Sequence, residues 1–587
     1  MFSKRSMTPL RAALLALFAL VATMAVITTA SAGDASRSSA TGRPPLVLDR
    51  SRTGEDAITA LGGRLNEIAA QNDLAGPDLA ALLRADSAAW LDASGRLFFV
   101  EPAAGTAEAP VSTGAAPFPV EQTFFLHSMP GSDRVIFLDF DGHTVEGTGW
   151  NQDYGESFPT EPYSIDEDGS TFSFAEREEI QQVWQRVAED FAPFNVDVTT
   201  EAPAQEAITR NGDNDSAYGT RVVITNTDTV FSSCQCGGVA YVGTFDNSSL
   251  HAYYQPAFVF TQGVGHEDKF VAEAASHEAA HNLGLLHDGT RRQGYYEGHG
   301  SWAPIMGVGY YKAITQWSRG EYNKANNSED DFAVMTSHGA EPRDDDHADT
   351  RRDATAISGP TFAENGLISS RTDVDTFELV VHEPGQLSVA ASPAPRGPNL
   401  DIGLELLSST GQVVASADPA SGSVAGDTSL ATGLDASLSA SVTTGTYFLR
   451  VDGVGAGSPQ STGYSDYASV GAYSLTGELN TSTTPVLRVS SIEMNTVNAG
   501  RKIAASATVT ITDGDNPQGG VSVTVTWSGR VTGTTTGETD VNGSVTLVSP
   551  STSAKHGTFT ATVTSVAGPG SDYDPGLNAE TTDSISV

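Results

Sequence analysis

The chain has 587 residues, with 72 acidic against 32 basic side chains and a formal net charge of −40. That length has room for three or more domains, each with its own core. The acidic excess argues against nucleic acid and anionic membrane as partners and suits a soluble extracellular protein.

Residues 1–32 read as a secretory signal peptide. Lys4, Arg5 and Arg11 precede an apolar run from Ala12 to Ile27, and Ala30-Ser31-Ala32 offers small residues for cleavage. The run is shorter than the roughly 20 residues a membrane span needs, and no later stretch approaches that length. A secreted protein without a membrane span is expected.

Residues 33–118 read as a prosegment, with an ordinary N-terminal domain as the alternative. From Glu55 to Leu83 the apolar residues Ile58, Leu61, Leu65, Ile68 and Ala69 recur at helical spacing. Ala89–Asp92 and Leu97–Val100 flank the turn Ala93-Ser94-Gly95 and resemble a small hairpin. From Glu101 to Pro119 the Pro- and Ala-rich sequence reads as a linker, so a mature chain is expected to begin within residues 110–125.

A catalytic domain is expected over residues 119–342. Val135–Phe140, Phe194–Val198, Arg221–Ile224, Gly238–Gly243 and Ala257–Phe260 read as strands. Ala175–Phe191 reads as a helix with Ile180, Val183, Trp184, Val187 and Phe191 on one face, ended by Pro193. Strand and helix alternate, which is an α/β pattern. Asp139, Asp141 and His143 in this region read as a strand end and turn rather than as a site.

Cys234 and Cys236 are the two cysteines of the chain. They are too few for a zinc site of their own, and export favours a small disulfide loop between them, with two free thiols as the alternative.

Residues 277–287 carry the chemistry: His-Glu-Ala-Ala-His-Asn-Leu-Gly-Leu-Leu-His. His277 and His281 are four apart, so one helix face presents both to one metal ion. Glu278 is placed to act as general base on a water at that metal. Gly284 lets the chain leave the helix through a left-handed conformation and bring His287 back as third ligand. Three protein ligands leave one position open, which marks a catalytic rather than structural zinc. The expected cofactor is a single Zn2+. No specific motif supports Ca2+, and the acidic run Asp344-Asp345-Asp346-His347 reads as a solvated connector.

Beyond it, short strands alternate with turns. Asp375–Val380, Gly385–Val389, Ile402–Leu407 and Thr446–Val451 predict a β-sandwich over residues 350–479. Residues 485–587 are Thr- and Val-rich around Trp527 and predict a second sandwich of immunoglobulin type. Both lie beyond the motif, so truncation after Pro342 is expected to spare catalysis on small peptides.

The long histidine motif, with Met306 in Pro304-Ile305-Met306-Gly307 nineteen residues after His287, resembles the metzincin metalloproteases. The resemblance implies that Met306 forms a hydrophobic floor beneath the metal. Asp288 after the third histidine resembles the adamalysin or reprolysin branch, as do His281–Gly284 and Gly238–Gly243. In that branch the latter segment lies by the edge strand that pairs with substrate. Two features depart from the pattern. The disulfide framework of the animal enzymes is absent, and Tyr310 and Tyr311 fall too far after Met306 to match a tyrosine zinc ligand. Asp373–Phe377 and Gly445–Val451 resemble the bacterial pre-peptidase C-terminal domain.

The combined expectation is a multidomain protein: an α/β metzincin-type zinc protease domain followed by two β-sandwiches. It would hydrolyse proteins or peptides as a monomer outside the cell. The contrasting readings are a non-catalytic extracellular binding protein with a vestigial zinc site, against which the intact Glu278 speaks, and a zinc hydrolase acting on something other than peptide. With no prosegment cysteine to cap the zinc, a carboxylate such as Asp86 or Asp92 is the available kind of blocking group, and the sequence does not choose between them.

Overall fold

The computed structural model describes residues 43–104, 116–166, 168–424, 427–481, 485–514 and 516–587. The signal-peptide reading, and most of the Pro- and Ala-rich stretch after Pro102, lie outside the described residues. Residues Pro44–Val587 form one compact unit.

The region expected to be catalytic is built on one eight-stranded sheet to which the N-terminal segment contributes three strands. In order across the sheet these are β1 (Arg52–Thr53), β2 (Ala89–Leu91), β3 (Leu97–Pro102), Cys236–Tyr241, Ala257–Phe260, Tyr218–Thr225, β4 (Arg134–Asp139) and Asp197–Thr199. The last four run parallel to one another, while Cys236–Tyr241 is antiparallel to both of its neighbours. The strand read from the sequence at Phe194–Val198 is confined to Asp197–Thr199; Phe194 makes only an isolated bridge to Pro342.

The periodic stretch from Glu55 breaks into α1 (Gly54–Leu61), α2 (Leu65–Gln71) and α3 (Gly76–Ala85). Gly62-Gly63 and Gly76-Pro77 mark the breaks, and Gly62 has φ +51°, where a side chain is strained. The three pieces bury Leu61, Ile68, Leu79 and Leu83 against Leu97 and Phe99 of the β2–β3 hairpin, and Val242 of the catalytic region joins the same core.

The helix Phe174–Asp190 starts with a capping box: Glu176 N donates to Ser173 Oγ at 3.3 Å and Ser173 N to Glu176 Oε2 at 2.7 Å. Its apolar face packs against the motif helix Asp268–Asn282, every residue of which is buried. A helix buried all round must pair its charges. Lys269 bonds Glu273 at 2.7 Å, Arg186 bonds Asp268 at 2.6 Å, and Ser276 Oγ donates to Asp190 at 2.6 Å.

Two further pairs of sheets follow. Between Thr355 and Thr481 a five-stranded and a four-stranded sheet enclose a core that includes Phe377, Leu387, Leu404, Leu449 and Leu475. Between Val486 and Ser586 two more sheets enclose Trp527, Val509 and Phe559.

The first of these pairs is joined to the catalytic region by a polar seam. Asn399 Nδ2 donates to Asp190 at 3.0 Å, Ala472 N donates to Glu189 at 3.1 Å, and Tyr467 Oη donates to Asp330 at 2.8 Å. Tyr467 and Ala468 sit within the catalytic core itself. A cut after Pro342, which is expected to spare catalysis on small peptides, would sever these bonds. Asp139 and His143 lie at a strand end and turn as expected, with Asp139 bonded to Arg221. No helix among the described residues is long and apolar enough to cross a membrane.

Candidate metal centre

The motif helix carries His277 and His281 on one face, and the chain turns out of it at Gly284. This glycine has φ +97°, and a methyl group there would meet the His338 ring at 2.4 Å, so both conformation and space require glycine. The turn returns His287 to the other two. Their ring centroids lie 4.7–5.3 Å apart.

Each ring is fixed through its Nδ1. His277 Nδ1 bonds the Ile305 carbonyl at 2.8 Å, His281 Nδ1 the Leu285 carbonyl at 2.8 Å, and His287 Nδ1 the Asp86 carboxylate at 2.5 Å. All three Nε2 atoms are thereby turned toward one point. Among the described residues Nε2 of His277 and Nε2 of His281 are buried without a hydrogen-bond partner. Three convergent imidazole nitrogens, two of them orphaned, are the donor set of a divalent metal.

A fourth group stands there. Glu101 of β3 places its carboxylate 3.6 Å from His277 Nε2, 3.5 Å from His281 Nε2 and 2.9 Å from His287 Nε2. The four residues form one buried cluster whose ligand atoms lie within 4.8 Å of one another. The sequence reading put Glu101 in a linker. In the structure it ends a strand whose alternate residues Leu97, Phe99 and Glu101 face the core or the histidines. Phe99 lies over His281 and His287, with ring centroids at 4.5 and 4.0 Å. That alternation was the one signal in the sequence for Glu101. Of the two carboxylates considered as blocking groups, Asp86 holds His287, whereas Asp92 accepts from Ser94 N and Arg96 N and closes the hairpin turn.

Burial alone would raise the Glu101 carboxyl, but His287, His277 and His281 around it hold it well below the usual range. Burial pushes His277 down to about 3 and also lowers His281. For His287 burial is outweighed by Glu101 and Asp86, which raise it to about 10. Two carboxylates on one imidazole make a site that demands positive charge.

Glu278 is buried beside this cluster, and burial, then the Glu101 charge, raise its carboxyl well above the usual range. Its Oε1 would lie 2.0 Å from a methyl group on Gly238, so this strand glycine gives the Glu278 side chain its room. Met306 is buried in the catalytic core, and its carbonyl accepts from Asp288 N at 2.8 Å, which ties the methionine turn to the residue after the third histidine. Asp288 is buried; Tyr322 Oη donates to it at 3.3 Å, and burial together with Glu329 raises it to about 7. Tyr295, which sequence reasoning did not single out, packs its ring 4.2 Å from that of His287. His299 bonds Tyr296 and the Gly463 carbonyl, away from the cluster. Cys234 and Cys236 are disulfide-bonded, with Cα atoms 5.1 Å apart.

With this geometry in hand, the comparisons with known proteins bear on one region. Residues 185–288 match the family model described as Metallo-peptidase family M12B Reprolysin-like. The match supports a metalloprotease. Its span runs from the helix Phe174–Asp190 to Asp288, so it holds the three histidines, Glu278 and the edge strand, while Glu101 and Asp86 lie outside it. No curated protein is similar to the chain in sequence.

Among solved structures, the pre-peptidase C-terminal domain of collagenase from Bacillus anthracis is similar at 13% identity and a TM-score of 0.14, over 21% of this chain and 94% of that one. The periplasmic lysozyme inhibitor PliG from Aeromonas hydrophila is similar at 9% identity and a TM-score of 0.15, over 22% of this chain and 96% of that one. A GH2 β-galacturonidase from Eisenbergiella tayi is similar at 11% identity and a TM-score of 0.12, over 36% of this chain and 35% of that one. At such scores these likenesses carry no argument about function.

Proposed function

We propose that the chain is a secreted zinc endopeptidase that hydrolyses peptide bonds of protein or peptide substrates at this centre. The carrying observation is the convergence of three buried histidine Nε2 atoms beside the buried carboxylate of Glu278, within the span that matches the metallopeptidase family. His277, His281 and His287 would hold the zinc. Bound zinc supplies Lewis acidity to the site.

The chain's own residues do the rest. The Ile305 and Leu285 carbonyls fix the tautomer and tilt of His277 and His281, and in the intact chain the Asp86 carboxylate does the same for His287. Glu278 accepts a proton from the attacking water and returns it to the leaving amine. Substrate lies extended along the Cys236–Tyr241 strand, whose backbone supplies hydrogen bonds of the β-addition type. The Asn282 side chain and the main-chain bond from Gly243 N to the His281 carbonyl set the height of the helix end against that strand.

Replacing Glu278 by Gln tests the reading. All three zinc ligands remain, so zinc content and thermal stability should barely change, while peptide hydrolysis falls by about 10²–10⁴-fold. His281→Ala should lose zinc and activity together. An unaltered rate in a verified, zinc-loaded Glu278→Gln protein would end this mechanism. Secretion is tested separately, by sequencing the amino terminus of the exported form.

A further inference from the structure

We propose that Glu101 is itself a ligand of the metal in the intact chain, and that β3 occupies the groove a substrate takes, so that the N-terminal segment keeps the enzyme latent. This rests on the peptidase reading above.

Three independent contacts support it. The first is the carboxylate. A hydrolytic centre needs one position free for water or substrate. Here Glu101 stands within 2.9–3.6 Å of all three Nε2 atoms, and its side chain carries no scissile bond.

The second is the backbone. β3 is antiparallel to Cys236–Tyr241, with Phe98 opposite Tyr241, Phe99 opposite Ala240, Val100 opposite Val239 and Glu101 opposite Gly238. Val242 N continues the ladder by donating to the Leu97 carbonyl at 3.0 Å. The edge that the sequence reading left for substrate is therefore already paired, along its whole length, by a strand of the same chain. The register places Glu101 beside Gly238, where Glu278 also approaches. Side chain and main chain thus block in concert: the strand takes the edge and delivers the carboxylate to the centre.

The third is the hold on the ligand set. The same segment contributes Asp86 to His287 Nδ1 and packs Phe99 over His281 and His287. Departure of the segment frees the metal position and also removes the partner of the third histidine. A thiolate block is ruled out, because both cysteines are consumed by their mutual disulfide. Release requires hydrolysis of a peptide bond C-terminal to Pro102, consuming one water and creating a new amino terminus.

The test uses the full chain loaded with Co2+, whose visible spectrum reports the ligand set, and compares wild type with Glu101→Gln. Both should bind about one metal ion per chain. The wild-type spectrum should be independent of pH near neutrality. The variant should show a shifted spectrum that titrates with pH, because water enters the vacated position, and it should release metal to a chelator about tenfold faster or more. Hydrolysis of a quenched fluorescent peptide by the zinc-loaded variant should exceed that of wild type by about tenfold or more.

Should Glu101→Gln fold poorly, the peptide Arg96–Pro102 provides a second measurement. It should inhibit the processed enzyme, and the same peptide bearing Glu101→Gln should inhibit about tenfold more weakly. Identical spectra and identical rates for wild type and variant, with a processed enzyme that is active, would overturn the latch and leave the peptidase reading standing. A shifted spectrum with no hydrolysis by any form would establish the ligand and overturn the peptidase reading instead.

Discussion

Asn282 Nδ2 donates to the main-chain carbonyl of Tyr241 at 2.8 Å, fastening the last residue of the motif helix to the end of the Cys236–Tyr241 strand. The Asn282 carbonyl accepts from Thr244 N at 2.8 Å, and Thr220 Oγ1 donates to its side-chain oxygen. This side chain, with the main-chain bonds from Gly243 N to the His281 carbonyl and from Thr244 N and Phe245 N to the Asn282 carbonyl, sets the height of the helix end against that strand.

Asn282→Ala should therefore leave the Tyr241 carbonyl unpaired in a buried place, at a cost of about 1–3 kcal/mol, while the Thr220 hydroxyl keeps its bond to Gln255 Oε1 at 2.9 Å. Thermal unfolding should show that loss. kcat/KM should fall further than zinc content, because the histidines remain while the edge strand shifts. Equal stability and equal kcat/KM would show that the bond to Tyr241 positions nothing.

The seam between the catalytic region and the first pair of β-sheets should weaken as pH rises. Burial, and then neighbouring Asp190, raise Glu189 from an ordinary value of 4.5 to about 8. A carboxyl with a raised folded value holds its proton better when folded than unfolded. Its contribution is complete below about 4.5 and is lost as pH climbs through about 8. Melting temperature measured from pH 5 to pH 9 should fall more steeply in wild type than in Glu189→Gln, which has no such proton to lose. Parallel profiles would exclude Glu189 as the source.

Truncation after Pro342 should lower the stability of the region that carries the metal centre. The cut removes Asn399 from Asp190, Ala472 N from Glu189 and Tyr467 from Asp330, and it takes Tyr467 and Ala468 out of the catalytic core. Returning the apolar surface under Tyr467 and Ala468 to water, at roughly 25 cal/mol per Å², should lower the melting temperature by about 5 °C. A truncated chain that melts with the full one would show the seam to be superficial.

X-ray absorption at the zinc edge should find only nitrogen and oxygen neighbours, since the proposed ligand set is His277, His281, His287 and a light atom. Sulfur in that shell would contradict both the centre and the Cys234–Cys236 bond. Non-reducing mass spectrometry should find that pair two hydrogens lighter than the dithiol, a mass fixed by the bond between them.

The histidine cluster was legible because His277, Glu278 and His281 share one turn of helix, and Gly284 fixes the return of His287; local spacing alone defines that set. Asp86, Glu101 and Tyr295 were not legible, because each arrives through sheet pairing or loop packing from far along the chain. Asp86 is 201 residues from the histidine it bonds. The N-terminal helical stretch was legible in its apolar rhythm but not in its breaks, since a glycine pair interrupts a helix only when packing rewards the turn. The seam was hidden for the opposite reason. Glu189 and Asp190 look like ordinary solvated helix carboxylates until the loops of the following sheets cover them.

Once β3 has left, the Cys236–Tyr241 strand faces solvent with a row of unsatisfied amide and carbonyl groups. Such a border is as ready to template a second copy of the chain as to bind a substrate. The strand itself bears no charged side chain to discourage that pairing. Protection must then come from long-range repulsion between like-charged molecules, and a net charge of −40 supplies it. Colloidal behaviour and catalysis are thereby coupled: added salt, by screening that repulsion, should make the unlatched enzyme the more prone to self-associate, while the intact chain, with its border already satisfied, stays indifferent.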